Sequence, residues 1–233
     1  MKPARYFLAL LSVSFIAACG GSDSNDPATA TATGAAGAPT TTAAGTTVTI
    51  DKVAETRGFS ALLAAATKAE LGTTLADPAA NLTVFAPTDA AFNSLATSLG
   101  FANATAMVDA LPAAALRNIL TFHVLPGNKP ASELTATPQS TQATLYSFGG
   151  QPTSLTLNTQ GGVRITDAAL TSANVTGADV AASNGVIHAI DKVLIPPGVL
   201  NIVQMAQVNP QLSSLVNAVV TANLQNTLSG AGV

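Results

Sequence analysis

The dominant spacing of apolar residues along this chain changes at His123. Ahead of it they recur at three- and four-residue intervals, as in Ile50, Val53 and Ala54, then Phe59, Leu62, Leu63 and Ala66. That spacing predicts two short amphipathic helices, broken at Arg57-Gly58 because glycine is a favoured helix terminator. From His123 onward come "TFHVLPG", "ATLYSF", "TSLTLNT" and "GGVRIT", short runs of Val, Leu, Ile and Thr punctuated by Gly and Pro. These are predicted strands. Helices gathered ahead of strands place the fold in the α+β class.

Local signals refine this outline. In "NLTVFAPTDAAFNSL" a brief strand, Leu82 to Phe85, is stopped by Pro87. Thr88 can then cap a new helix, and Asp89 in its first turn suits the positive end of the helix dipole. Helical patterns continue through "ATAMVDAL" and "PAAALRNIL", where Pro112 suits a first helical position. "NTQGG" reads as a hairpin loop, and "AASNG" as the turn between strands at about Ala173 to Val180 and Val186 to Leu194.

The tail, Val199 to Leu228, is helical again and repeats the opening. Ile50, Val53 and Ala54 correspond to Ile202, Met205 and Ala206, and Phe59, Leu62, Leu63, Leu71 and Leu75 to Leu212, Leu215, Val216, Leu224 and Leu228. Its apolar faces should dock on the first domain or a partner, or remain a sticky patch.

At the N-terminus, Lys2 and Arg5 precede an apolar stretch from Tyr6 to about Ile16 and then small residues up to Cys19. This reads as a secretory leader, residues 1–18. The apolar stretch is shorter than the roughly 20 residues a permanent transmembrane helix needs. Cys19 is the chain's one cysteine, so no intrachain disulfide can form. Ile16-Ala17-Ala18-Cys19 resembles the lipobox of bacterial lipoproteins, which implies lipidation of Cys19 and a membrane anchor; Gly20 after it implies outer-membrane sorting in a Gram-negative cell. Residues 19–46, as in "DPATATATGAAGAPTTTAAG", hold no large apolar side chain and read as a flexible stalk. As a random coil the stalk would span on the order of 30 Å, at about 5 to 6 Å times the root of residue number.

Composition excludes several function classes. Without Lys2 and Arg5, 7 basic side chains face 12 acidic ones, a net charge of −5, and the basic residues form no stripe, so nucleic acid is not a partner. With no tryptophan and two tyrosines, aromatic-rich recognition of nucleic acid or sugars is poorly supported. Two histidines and no available thiol fall short of the three or four convergent ligands a metal site wants, unless His123 and His188 met a carboxylate. No GxSxG elbow, phosphate loop or Cys-His pair occurs. In the last strand Val186, His188 and Ile190 face one way and Ile187, Ala189 and Asp191 the other, so His188 and Asp191 cannot form a dyad within it.

Three segments, "LTVFAPTDAAF" (Leu82 to Phe92), "NILTFHVLPG" (Asn118 to Gly127) and "NGVIHAIDKVLIPP" (Asn184 to Pro197), resemble the first box, the Tyr-His segment and the second box of the fasciclin (FAS1) domain, in the family's order. The resemblance covers residues 47–197, one whole domain, and implies a fasciclin-like fold in which N-terminal helices pack against a twisted sheet, or wedge, of short strands. It implies that residues 198–233 are the helical start of a second, truncated repeat, because such domains commonly occur in tandem. It also implies that His123 pairs with the Thr88-Asp89 corner, fastening helices to sheet. Two positions depart from the family. Phe122 stands where tyrosine is frequent, removing a phenol hydroxyl that adhesive members are thought to use, and Asp89 stands where many members have asparagine.

The expectation for function is a non-enzymatic module without a cofactor, exported and lipid-anchored at the cell envelope. It would mediate adhesion, with an extracellular protein or polysaccharide or a second copy of itself as partner. His123 and His188 would be internal fasteners. The alternative is an envelope small-molecule or lipid binder with a pocket between helices and sheet.

Overall fold

A computed structural model describes residues 48–222 and 224. The chain opens with α1 (Ile50–Thr56), α2 (Ser60–Lys68) and α3 (Gly72–Ala76), then β1 (Leu82–Pro87), α4 (Asp89–Ser98), α5 (Ala104–Ala110) and α6 (Ala113–Phe122). There follow β2 (Val124–Pro126), α7 (Ala131–Leu134), β3 (Gln139–Phe148), β4 (Gln151–Asn158), β5 (Arg164–Thr166), β6 (Ser172–Ala182) and β7 (Gly185–Ile190). The tail forms α8 (Ile202–Val208), a 3-10 turn and α9 (Ser213–Thr221). The helix break at Arg57-Gly58 and both predicted turns are present, while β1 runs two residues past Phe85. Pro87 ends the strand where its missing N–H costs no ladder bond, and the Thr88 N–H takes the Ile190 carbonyl instead.

The seven strands form one sheet in the order β2-β1-β7-β6-β5-β4-β3. Every pairing is antiparallel except β1 with β7, which the intervening segment, residues 88–184, makes possible as a long crossover. β3 curls back against β2, so the sheet nearly closes into a wedge. Alternation along β1 and β7 divides the core in two. Val84, Ala86 and Ile187 face the helices and join Ile50, Leu62, Phe92, Met107 and Leu116. Phe85 and Ile190 face the interior of the wedge with Leu125, Leu155, Leu157 and Ile165. Both strands are covered on both sides, which explains their near-continuous apolar sequence.

The tail divides. α8 docks on the domain, burying Ala206 and Val208, and the Asn209 side chain donates to the Ala169 carbonyl at 2.9 Å. α9 leaves Leu215 and Val220 about half exposed, at 48% and 45%.

Candidate functional site

The two histidines share no hydrogen-bond partner and close two separate latches. His123 ends α6. Its Nδ1–H donates to the Ile119 carbonyl at 2.7 Å, and its Nε2 accepts the Leu194 N–H at 2.9 Å. Burial pushes this imidazole down to about 4, against a small opposing effect of the Ile119 bond, so the ring is neutral at physiological pH. Its expected partners are occupied elsewhere. The Thr88 hydroxyl accepts the Ala91 N–H as the cap of α4. The Asp89 carboxylate accepts from the Ser60 hydroxyl and, at 2.9 Å, from the Ala61 N–H. α2 begins after Phe59, which has no side-chain acceptor to offer, and Asp89 supplies the missing cap from 28 residues away. The helix-to-sheet fastening by His123 therefore runs to Leu194 rather than to the Thr88-Asp89 corner.

His188 uses the other tautomer. Its Nε2 faces the Lys129 carbonyl at 3.0 Å, which can only accept, so Nε2 carries the proton and Nδ1 accepts the Asp179 N–H at 3.3 Å. Asp179 lies in an irregular stretch of β6 with φ of 56°, a left-handed conformation that aims its N–H at the ring. Its carboxylate accepts the Ala131 N–H at 2.7 Å. Thr83 completes the latch by accepting from the Lys129 N–H and donating to the Gly127 carbonyl. The segment from Gly127 to Ala131 is thus bolted to three strands.

Both rings are 1% exposed and spend both nitrogens on backbone groups. Among the described residues, no three His, Cys, Asp or Glu side chains converge as metal ligands. Phe122 is also 1% exposed, its ring edge-on to Tyr146 with centroids 6.2 Å apart. A tyrosine hydroxyl at that position would point into the core. The nearby phenol, that of Tyr146, donates to the Pro197 carbonyl at 3.0 Å.

Four further fastening residues escaped the sequence reading. Asn184, buried in the β6–β7 turn, accepts the Ile50 N–H and donates to the Leu75 and Asp77 carbonyls. Thr83 and Asp179 belong to the His188 latch. Asp167, buried in the β5–β6 loop, accepts from the Thr171 N–H and hydroxyl and from the Ile195 N–H. Burial raises its carboxyl above the usual range, and those bonds and nearby Lys192 partly offset the rise. Beside that loop a small apolar depression of about 50 Å³ is lined by Leu95, Val193, Ile195 and Val208, with Lys192 also on its wall.

The Fasciclin domain model matches residues 57–196, which takes in both latches. This chain belongs to the fasciclin family. Protein sll1483 of Synechocystis sp. (strain ATCC 27184 / PCC 6803 / Kazusa) is similar at 35% identity over 148 residues, 64% of this chain and 73% of that one. Immunogenic protein MPB70 of Mycobacterium bovis (strain ATCC BAA-935 / AF2122/97) is 32% identical over 117 residues, and the match spans 50% of its length. A solved fasciclin pair, from the insect cell adhesion molecule fasciclin I, aligns with 76% of this chain and 54% of its own at 18% identity and a TM-score of 0.35. No described helix is long and apolar enough to cross a membrane, and Cys19 lies outside the described residues.

Proposed function

We propose that this fasciclin chain is a non-enzymatic module of the cell envelope, held by a lipid on Cys19 and displayed on its stalk, whose folded head mediates adhesion through an extracellular protein or polysaccharide. The observation that carries the reading is the commitment of both imidazoles to backbone hydrogen bonds inside the core. General acid-base or nucleophilic chemistry needs a titratable group within reach of a substrate, and these are spent on holding the fold. Membership of a family associated with adhesion and matrix contact supports the same reading. The tail is then the opening of a second repeat, with the exposed α9 side chains as the place where a second copy docks. For a small-molecule carrier the described residues offer the small depression beside α8.

The test is genetic. In the native host, the wild-type protein should fractionate with membranes and incorporate labelled palmitate, and Cys19→Ser should release it. Deletion should reduce surface attachment in a flow cell, and the wild-type gene should restore it. A deletion strain that attaches as well as wild type overturns the adhesive reading.

A further inference from the structure

Charged side chains are spread through the helical half and vanish from the hairpin that ends the sheet. Twelve lie between Val48 and Glu133, whereas the thirty residues from Leu134 to Val163 contain none. Exposed sheets ordinarily carry Lys or Glu, which keep them solvated and discourage pairing with other strands. Register fixes what this sparsely charged end of the sheet displays. Gln139, Asn158, Arg164 and Asn174 form one row across β3, β4, β5 and β6, and Thr141, Thr156, Thr166 and Ser172 form the next. The row between them, with Leu157, Ile165 and Ala173, faces the core, so the two polar rows share the outer face.

The four hydroxyls of the second row have no hydrogen-bond partner among the described residues. In the helices, by contrast, hydroxyls such as those of Thr67, Ser94 and Thr121 are spent on carbonyls of the preceding turn. Strands lie about 4.8 Å apart, so the row is a regular line of groups that can each donate and accept. The adjacent row adds the amide of Gln139 and the fork of Arg164, neither of which pairs with another side chain among the described residues.

We propose that this outer face of β3 to β6 binds a neutral, hydroxyl-rich polysaccharide laid across the strands. The inference rests on the adhesive reading and supplies its partner class. A polyanion would meet a single cation on the two rows, and a polycation only the Asp191 carboxylate at their β6 end, which already accepts from the Asn174 side chain at 2.7 Å. A protein partner would want an apolar anchor at the centre, and the exposed apolar side chains of these strands, Leu145 and Phe148, lie at the hairpin end of β3 beyond the rows.

The test uses the full chain carrying Cys19→Ser, in pull-downs with insoluble cellulose and chitin and in affinity electrophoresis through dextran and mannan, with polygalacturonate as the anionic comparison. Retention by at least one neutral polymer is expected, unchanged between low and moderate salt. Thr156→Ala with Thr166→Ala should weaken it about tenfold, Thr156→Glu should abolish it, and Thr156→Ser should preserve it, at a melting temperature matching the parent for each. Retention by none of the neutral polymers, or retention indifferent to these substitutions, overturns the proposal. So does salt-sensitive binding confined to polygalacturonate, or a dimer broken by Thr141→Lys, which would mark the face as a self-pairing edge. Absent glycan binding together with lost attachment in the deletion strain sinks this inference alone. Normal attachment of that strain sinks the adhesive reading whatever the polymers show.

Discussion

The Leu194 N–H donates to Nε2 of His123 at 2.9 Å across 71 residues of chain, and through that ring the end of α6 is joined to the segment leaving β7. His123→Ala would leave the Leu194 N–H and the Ile119 carbonyl unpaired in the core and open a cavity. Each unpaired group costs about 1–3 kcal/mol, so a loss of about 3–5 kcal/mol is expected, large on the scale of single substitutions. Urea denaturation followed by circular dichroism would show it as a lower midpoint at unchanged slope. An unaltered midpoint would remove the latch from the account.

The same ring sets an acid dependence. His123 sits at about 4 in the folded chain against an ordinary 6.5. Between those values the unfolded chain binds the extra proton, so folding stability falls as pH drops from about 6.5 to about 4 and levels off below. The full effect is about 3 kcal/mol, at roughly 1.4 kcal/mol per pH unit of difference. Asp167, raised by burial, acts oppositely, since protonation relieves its desolvation cost as pH falls. Comparing wild type with His123→Gln separates the two. The glutamine variant, which cannot titrate, should lack the loss seen in wild type across this window, and parallel curves for the two proteins would contradict the assignment.

Local chemistry was legible in the sequence, and long-range use of the same side chains was not. The Thr88 cap could be read because its partner, the Ala91 N–H, is three residues away. Asp89 was placed correctly at the start of α4, but its carboxylate serves α2. The available hint was Phe59, a helix-preceding residue without a side-chain oxygen, which obliges an acceptor to come from elsewhere. Asn184 was read as half of an Asn-Gly turn, and its three side-chain partners lie 107 to 134 residues away. Alternation correctly separated His188 from Ile187, because strand period survives into the fold. The ring's partners, supplied by an irregular β6 and by the Lys129 loop, have no periodic signature.

Asn184 offers a test that barely changes shape. Its Nδ2 donates to the Leu75 and Asp77 carbonyls, while Oδ1 accepts the Ile50 N–H. Asn184→Asp exchanges the donor for an oxygen facing two carbonyl oxygens in a buried site, which is worse than simple removal. The expected loss is about 3 kcal/mol or more, exceeding that of Asn184→Ala, because a buried polar group left facing like charge bears its full desolvation cost. Hydrogen exchange should show α1 opening first, since its leading amide loses its partner. Equal stability of the aspartate and alanine variants would mean the donor side of this side chain is unimportant.

Gly185 and Gly58 separate the two reasons a chain keeps glycine. Both have positive φ, +151° and +77°. At Gly58 an added Cβ meets nothing within 4 Å, so Gly58→Ala should cost only the left-handed backbone penalty, roughly 1–2 kcal/mol. At Gly185 the Cβ would lie 1.9 Å from the Leu82 carbonyl oxygen, inside the parallel pairing of β1 with β7 that divides the core. No side-chain rotation relieves a clash with backbone, so the strands must part where Leu82 and Gly185 are paired. Gly185→Ala should therefore exceed about 4 kcal/mol, the range reserved for disrupted cores, and yield insoluble or molten protein where Gly58→Ala stays folded. Thermal melts of the two variants side by side decide it: comparable midpoints would mean that β1 and β7 can separate at little cost, and that their close approach is not what fixes the sheet.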